Sequence, residues 1–276
     1  MNRSLLADLP RLALLSGAAL VVLAPFLFML SASVKPGGEI FEASLSLWPR
    51  RFYGVENYTK AFTAVPLARF LLNGAVVCAV VLALQLLFAV PCAYALAKLR
   101  WPGREWVFGL VMLGLLIPAH VPALPLYLSF AKMGLLDSYT ALAAPFAISV
   151  FAVFMFRQAF KALPDELLKA ARMDGMGEMS VVWRVVLPNA LPTATAFATF
   201  SIVAHWNDLF WPLIVIGTER MATPALGVLF FRAEEGGNDT GALMAAAVVA
   251  TLPVLLAFLL AQRWFVQGVA TAGLKG

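Results

Sequence analysis

Phe70-Leu-Leu-Asn-Gly-Ala-Val-Val-Cys-Ala-Val-Val-Leu-Ala-Leu-Gln-Leu-Leu-Phe-Ala-Val-Pro-Cys-Ala-Tyr-Ala-Leu-Ala97 decides the architecture. No Asp, Glu, Lys, Arg or His interrupts it. A hydrocarbon core is crossed by about 20 apolar residues in a helix, and this run is longer. Its apolar residues are continuous rather than alternating, which selects a helix over a strand of a membrane barrel. The rest of the chain has the same character: 62% of its 276 residues are hydrophobic, 13% are charged, and the mean hydropathy is +0.87. Soluble domains hold apolar residues near one half.

Working outward, six such segments stand at about 12–33, 70–97, 106–130, 139–158, 190–216 and 242–262. The fold class expected is all-α: a polytopic membrane protein of six transmembrane helices, residues 1–276 forming a single transmembrane domain. The first segment is not read as a cleaved signal. Arg11 precedes it and Ser31-Ala32-Ser33 resembles a cleavage site, but Leu12 to Leu30 exceeds a signal core of about 7–15 residues.

The net charge of +5 sits beside the apolar segments and sets orientation rather than nucleic-acid binding. Lys98, Arg100, Arg104, Arg157, Lys161, Lys169, Arg172 and Arg184 fall on the side that also holds Arg3, Arg11, Arg263 and Lys275. Both termini are therefore expected to be cytoplasmic. Residues 34–69 become a periplasmic loop and residues 159–189 a cytoplasmic loop between helices four and five. Tyr53, Tyr58, Trp101, Trp106, Trp206, Trp211 and Trp264 are expected as interfacial anchors. On one helix Cys78 and Cys92 stand roughly 21 Å apart along the axis, beyond disulfide reach. Both read as small apolar residues.

Several chemistries are excluded. The chain has no Gly-x-x-x-x-Gly-Lys-[Ser/Thr] phosphate loop, no Gly-x-Ser-x-Gly elbow and no His-Glu-x-x-His. With only His120 and His205, no histidine metal cluster is expected. Ionisable residues near membrane depth are confined to His120, His205 and Asp208. Ion-coupled carriers usually place several there, so energy for uphill transport would enter from outside the chain.

The candidate entry point is Asp165-Glu-Leu-Leu-Lys-Ala-Ala-Arg-Met-Asp-Gly-Met-Gly-Glu-Met-Ser-Val-Val-Trp-Arg-Val-Val-Leu-Pro188. Pro164 suits a first helical position. Asp165 and Glu166 open the helix and Lys169 and Arg172 close it, as the helix dipole favours. Asp165 and Lys169 form an i,i+4 pair, and Leu167, Ala170 and Ala171 share a side. Gly175 ends the helix. A second helix is expected from about Glu178 to Val186, stopping at Leu187-Pro188. A short helix of this kind either lies in a partner's groove or rests on the membrane surface.

Two further stretches suggest a pathway. Pro118, Pro122 and Pro125 surround His120 and kink the third segment, which fits a packed kink or a pathway lining. Thr195 and Thr199 share a face, suited to interhelical hydrogen bonds or to substrate. Asn207 and Asp208 stand near the outer end of the fifth segment.

Lys169-Ala170-Ala171-Arg-Met-Asp174-Gly175, with Leu187-Pro188 at its fixed distance, resembles the EAA loop of ABC-importer permeases (Glu-Ala-Ala, three residues, Gly, nine residues, Ile-x-Leu-Pro). Lys169 stands where that motif has Glu, and Val185 where it has Ile. The likeness extends over essentially the whole chain to the MalG-like permeases of carbohydrate importers. It is carried by Ser33-Val-Lys-Pro36, Glu56-Asn-Tyr58, Asn73, Ala93-Tyr94-Ala95, Trp206-Asn207-Asp208 and Gly273-Leu-Lys-Gly276. The resemblance implies a non-catalytic permease in the bacterial inner membrane, half of a translocation pathway for a sugar or sugar-derived solute. Its implied partners are a second MalG/MalF-like permease, two copies of a cytoplasmic ATPase, and a periplasmic or lipid-anchored solute-binding protein. ATP and magnesium would be bound by that ATPase, with no cofactor on this chain. Leu167, Lys169, Ala170, Ala171, Asp174, Gly175, Leu187 and Pro188 would meet the ATPase, with the tail 273–276 as a further contact. His120, Thr195, Thr199, Asn207 and Asp208 are the substrate-path candidates. The competing classes are an ion-coupled carrier or channel subunit and a membrane scaffold that uses the loop only for docking.

Overall fold

The computed structural model describes residues 3–41, 46–118, 120–234 and 239–273, and every regular element among them is helical. α1 (Arg3–Ser33) is followed by short α2 (Gly37–Ile40), α3 (Gly54–Thr63) and long α4 (Leu67–Ala97). α5 (Arg104–Leu113) and α6 (Ala123–Lys132) flank a break, and α7 (Tyr139–Ala143) and α8 (Val150–Lys161) flank a bend. α9 (Asp165–Met173), α10 (Glu178–Val181) and α11 (Leu187–Asn189) make the polar insert. α12 (Leu191–Trp206), α13 (Phe210–Val215), α14 (Pro224–Glu234) and α15 (Thr240–Gly273) complete the order. Contacts divide the chain into two units: residues 1–68 with 227–252, and residues 69–226 with 253–276.

Among the described residues, three stretches are long and apolar enough to cross a membrane unbroken: Pro10–Ser33, Leu67–Ala97 and Thr240–Leu260. The number rises to five if each of two bent pairs counts as one span. Tyr139–Phe146 and Val150–Lys161 meet at 46°, and Glu178–Asn189 and Leu191–Trp206 at 84°. The third expected segment is not one kinked helix but two short ones. The chain leaves helical geometry at Ile117 (ψ 116°) and re-enters after Pro122. Pro118 and Pro122 explain the gap, since each lacks a backbone donor and disfavours helix in the residue before it. Pro125 falls in the first turn of α6, where no donor is needed.

In the first unit, the apolar side chains of α1 face outward. Leu12, Leu14 and Val21 are 64–75% exposed, and none of the helix's most apolar window is covered. Such a surface suits hydrocarbon and not water. Where α1 ends, buried Asn57 of α3 donates to the carbonyls of Ser33 and Lys35 (2.9 and 2.8 Å). Gly241 of α15 abuts the same turn. A Cβ there would lie 2.6 Å from both the Lys35 carbonyl and the Asn57 amide, so only glycine permits this approach.

The core of the second unit lies where α4, α8 and the polar insert converge. Ala89, Val90, Ala93 and Tyr94 of α4 pack with Phe156 and Phe160 of α8 and with Leu168, Val181 and Val186 of the insert, all at most 3% exposed. Small residues on α4 let the neighbouring helices approach closely. Arg157, only 2% exposed, ties this core together. It donates to the Leu96 carbonyl (3.1 Å), pairs with Glu105 of α5 (2.6 Å) and lies 3.6 Å over the Phe108 ring. Reading Arg157 only as an orienting charge therefore understates it. Trp206 and Trp211 correct the anchor reading. They are 6% and 4% exposed, and Trp211 Nε1 donates to the Ala141 carbonyl (2.8 Å). Trp106, at 82%, does project outward. The side chain of Trp264 and residues 274–276 lie outside the described residues.

Candidate functional site

The polar insert forms a helix–turn–helix with one face inside and one outside. Asp165 and Glu166 occupy the first turn of α9 and Arg172 its last, in the order the dipole favours. Pro164 stands one position earlier than expected, in extended conformation (ψ 136°) as the residue flanking the helix. At the other end Met176 N–H reaches back to the Ala171 carbonyl (3.1 Å) and Gly175 adopts φ +79°. This left-handed cap needs glycine. The second helix runs past the expected stop. Residues Val182–Val186 widen into a π-turn, Leu187 N–H bonds to Val182 O, and helix continues through Pro188 to Asn189. The wider register is how a proline without a donor is accommodated mid-helix.

The three residues grouped on one side of α9 are divided by their surroundings. Ala171 is buried with Leu168 against the unit's own core, Leu167 is half-buried, and Ala170 is exposed. Glu166, Lys169, Met173, Asp174 and Gly175 share the outward surface, with Met173 83% exposed. Leu187 is half-buried and Pro188 exposed.

Two polar clusters hold the insert to the end of α4. Lys98 Nζ pairs with Asp165 (2.6 Å) and donates to the Leu163 carbonyl (2.6 Å), so Asp165 takes Lys98 as its ion-pair partner in place of Lys169. Tyr94 OH donates to Glu178 (2.6 Å), and Arg172 donates to both Glu178 (2.8 Å) and the Tyr94 oxygen (3.1 Å). The hydrogen bond from Arg172, joined by that from Tyr94, holds the Glu178 carboxyl below its usual range. The Lys98 hydrogen bond does the same to Asp165. These clusters were not read from the sequence. Their one signal was Tyr94, a polar tip at the end of an apolar run.

A second site is a cavity of about 440 Å³ between the break after α5 and the start of α13. His120, His205 and Asp208 line it with Phe146, Phe210 and Trp211. The His120 ring meets Phe210 edge-on at 4.2 Å between centroids. Behind the cavity, buried Gln85 of α4 accepts from Ser201 (2.7 Å), donates to the Phe146 carbonyl (3.1 Å) and lies 3.3 Å from His205 Nε2. A carbonyl only accepts, so the Gln85 NH2 must face Phe146. The same NH2 then donates to Nε2, which places the His205 proton on Nδ1.

Of the five path candidates, His120 and Asp208 meet at this cavity. Thr195 and Thr199 instead donate to carbonyls four residues back on α12 (2.9 Å each), and Asn207 to that of Val203 (2.8 Å). None of those three lines the cavity. Gln85 and Ser201 were missed, although a Gln within a membrane-length apolar run was a visible signal.

Among the described residues, helices alone, several of them apolar and of membrane length, with an exposed and anchored helical insert, define the class as a helical membrane protein. Residues 85–271 match the model of the binding-protein-dependent transport system inner membrane component family. The chain belongs to this family of transport permease subunits. It is 33% identical over 260 residues to the arabinooligosaccharides transport system permease protein AraQ of Bacillus subtilis (strain 168), covering 94% of this chain and 92% of that one. It is 32% identical over 255 residues to the sn-glycerol-3-phosphate transport system permease protein UgpE of Yersinia pestis bv. Antiqua, covering 90% and 91%. A crystal structure of a bacterial ABC transporter involved in import of the acidic polysaccharide alginate contains a chain of the same fold. Its TM-score is 0.82 at 22% identity, covering 96% of this chain and 99% of that one. The alginate transporter in complex with an alginate pentasaccharide-bound periplasmic protein gives a TM-score of 0.60 at 16% identity.

Proposed function

We propose that this chain is the permease subunit of an ATP-driven ABC importer for a sugar or sugar-derived solute in the bacterial inner membrane. It crosses the membrane six times with both termini cytoplasmic and forms half of the translocation pathway. The other half is a second, similar permease. Two copies of a cytoplasmic ATPase, carrying ATP and magnesium, engage residues 159–189, and a solute-binding protein docks on the opposite side, where residues 34–69 form the largest loop. Relatives that carry arabinooligosaccharides and sn-glycerol 3-phosphate by their names support the solute class.

The observation that carries this reading is the exposed face of α9, made of Glu166, Lys169, Ala170, Met173 and Asp174, on a helix anchored to the end of α4. A surface that is polar, ordered and fastened to a membrane-length helix can transmit a push. ATPase closure would move α9, and the Tyr94–Glu178–Arg172 cluster would pass that displacement to α4 as a rigid-body shift. Lys169, where related loops carry Glu, selects an acidic rather than a basic contact on the ATPase. The test is uptake into proteoliposomes holding the assembled transporter and its binding protein. Uptake that requires ATP inside and persists without an ion gradient supports the proposal. Uptake that ignores ATP and collapses with the gradient refutes it in favour of an ion-coupled carrier.

A further inference from the structure

We infer that the cavity lined by His120, His205, Asp208, Phe210 and Trp211 is a solute subsite selective for neutral saccharide units over anionic ones. The inference rests on the sugar-importer reading and adds the charge class of the solute.

The cavity's volume of about 440 Å³ falls in the roughly 300–1,000 Å³ range of small-molecule sites, which are mostly apolar with a few placed polar groups. Its lining has that composition. Phe210, 41% exposed, offers an apolar ring to the C–H side of a sugar, and buried Trp211 forms the wall beside it. The Asp208 carboxylate accepts hydrogen bonds and donates none, with about four acceptor sites. Backbone N–H groups of Trp211 (3.3 Å) and Phe210 take two of these, leaving capacity for a pair of hydroxyls. His205 is held by Gln85 with its proton on Nδ1, so its ring is neutral and adds no cation to the lining.

Charge decides the class. Among the described residues lining the cavity there is no Lys or Arg, and Asp208 is an acid. A uronate carboxylate or a phosphate would meet the like charge of Asp208, while the other titratable groups on the described lining, His120 and His205, carry no permanent positive charge to receive it; like-charge juxtaposition is a strong means of rejecting a ligand. A neutral pentose or hexose unit meets a charge-assisted acceptor and the exposed Phe210 ring. Relatives with names for both a neutral and an anionic solute make this distinction a real one.

The experiment is equilibrium dialysis on the detergent-purified complex of this chain with its partner permease and ATPase, without binding protein. The probes are arabinotriose, an alginate trisaccharide and sn-glycerol 3-phosphate. The expected result is saturable arabinotriose binding, with both anions at least about tenfold weaker. Asp208→Asn keeps an oxygen to cap Trp211 and should weaken arabinotriose about tenfold without weakening the anions. Phe210→Ala, at a 41% exposed ring whose loss leaves the core filled, should weaken arabinotriose too. Anions bound as tightly as arabinotriose, or an arabinotriose affinity that neither variant changes, overturns the inference. So does absence of arabinotriose binding in a complex that takes it up with ATP. Discrimination as described, in a complex whose uptake ignores ATP, supports the subsite and counts against the ATP-driven reading instead.

Discussion

Gly175 offers a perturbation whose cost can be worked from geometry alone. Its φ of +79° is in the left-handed region, and a Cβ built there finds nothing within 4 Å. Steric crowding by neighbours is thus absent, and the penalty of a side chain is the backbone's own, about 1–2 kcal/mol for an ordinary residue and less for Asn. Valine, branched at Cβ, lies at the unfavourable end. Leaving the left-handed cap would also release the Met176 N–H bond to Ala171, worth about 0.5–1.5 kcal/mol. A local cost of 1–2 kcal/mol shifts the ordered turn by roughly five- to thirtyfold, while the membrane helices are untouched. Gly175→Asn, Gly175→Ala and Gly175→Val should therefore insert equally well and lose ATP-dependent uptake in that order, with ATP hydrolysis becoming less dependent on solute. The assay is uptake and hydrolysis in proteoliposomes against the amount of reconstituted protein. Normal coupling in Gly175→Val would refute the reasoning, and so would Asn performing as badly as Val.

Other outcomes follow from the same contacts. Tyr94→Phe removes the hydroxyl shared by Glu178 and Arg172 while keeping the ring in the core; uptake should fall several-fold with little change in thermal unfolding of the detergent-solubilised protein, and an equal loss of both would mean the cluster only stabilises. Leu168→Ala leaves a cavity beneath α9 and should cost about 2–5 kcal/mol locally, seen as faster amide hydrogen exchange across residues 165–176; unchanged exchange contradicts the inward packing. The Glu178 and Asp165 carboxyls sit below their usual range in the folded loop, so their contribution is present above the ordinary carboxylate pKa of about 4 and is lost as pH falls through the depressed folded values. Exchange across α9 should thus rise below about pH 4, and Glu178→Gln should flatten part of that rise. Loosening on the alkaline side instead would show that these ion pairs do not hold the loop.

The long apolar helices were legible because hydrocarbon-length runs have one solution in a bilayer, and α4 matches its run closely. The insert was legible because its charges follow the dipole and Gly175 marks the end. What stayed hidden was tertiary. Periodicity puts Leu167, Ala170 and Ala171 on one side of α9, but only the packed core shows that Ala171 faces inward and Ala170 outward. Pro188 reads as a stop because a proline ends a regular α-helix, and a π-turn over Val182–Val186 is a response that sequence does not announce. His120 and Asp208 could be suspected singly. Their meeting at one cavity depends on the break at Pro118–Pro122 and on the turn after Trp206. Thr195 and Thr199 looked available because nothing in a sequence distinguishes a hydroxyl facing a neighbour from one bonded to its own backbone.

The central claim is that energy enters through the exposed face of α9. The most direct measurement places a photo-crosslinking residue at Lys169 or Met173, and separately at buried Leu168, in cells expressing the whole transporter. Capture of the ATPase is expected from Lys169 and Met173, altered by trapping ATP, and none from Leu168. No capture from either exposed position, in a complex that still transports with ATP, would contradict it.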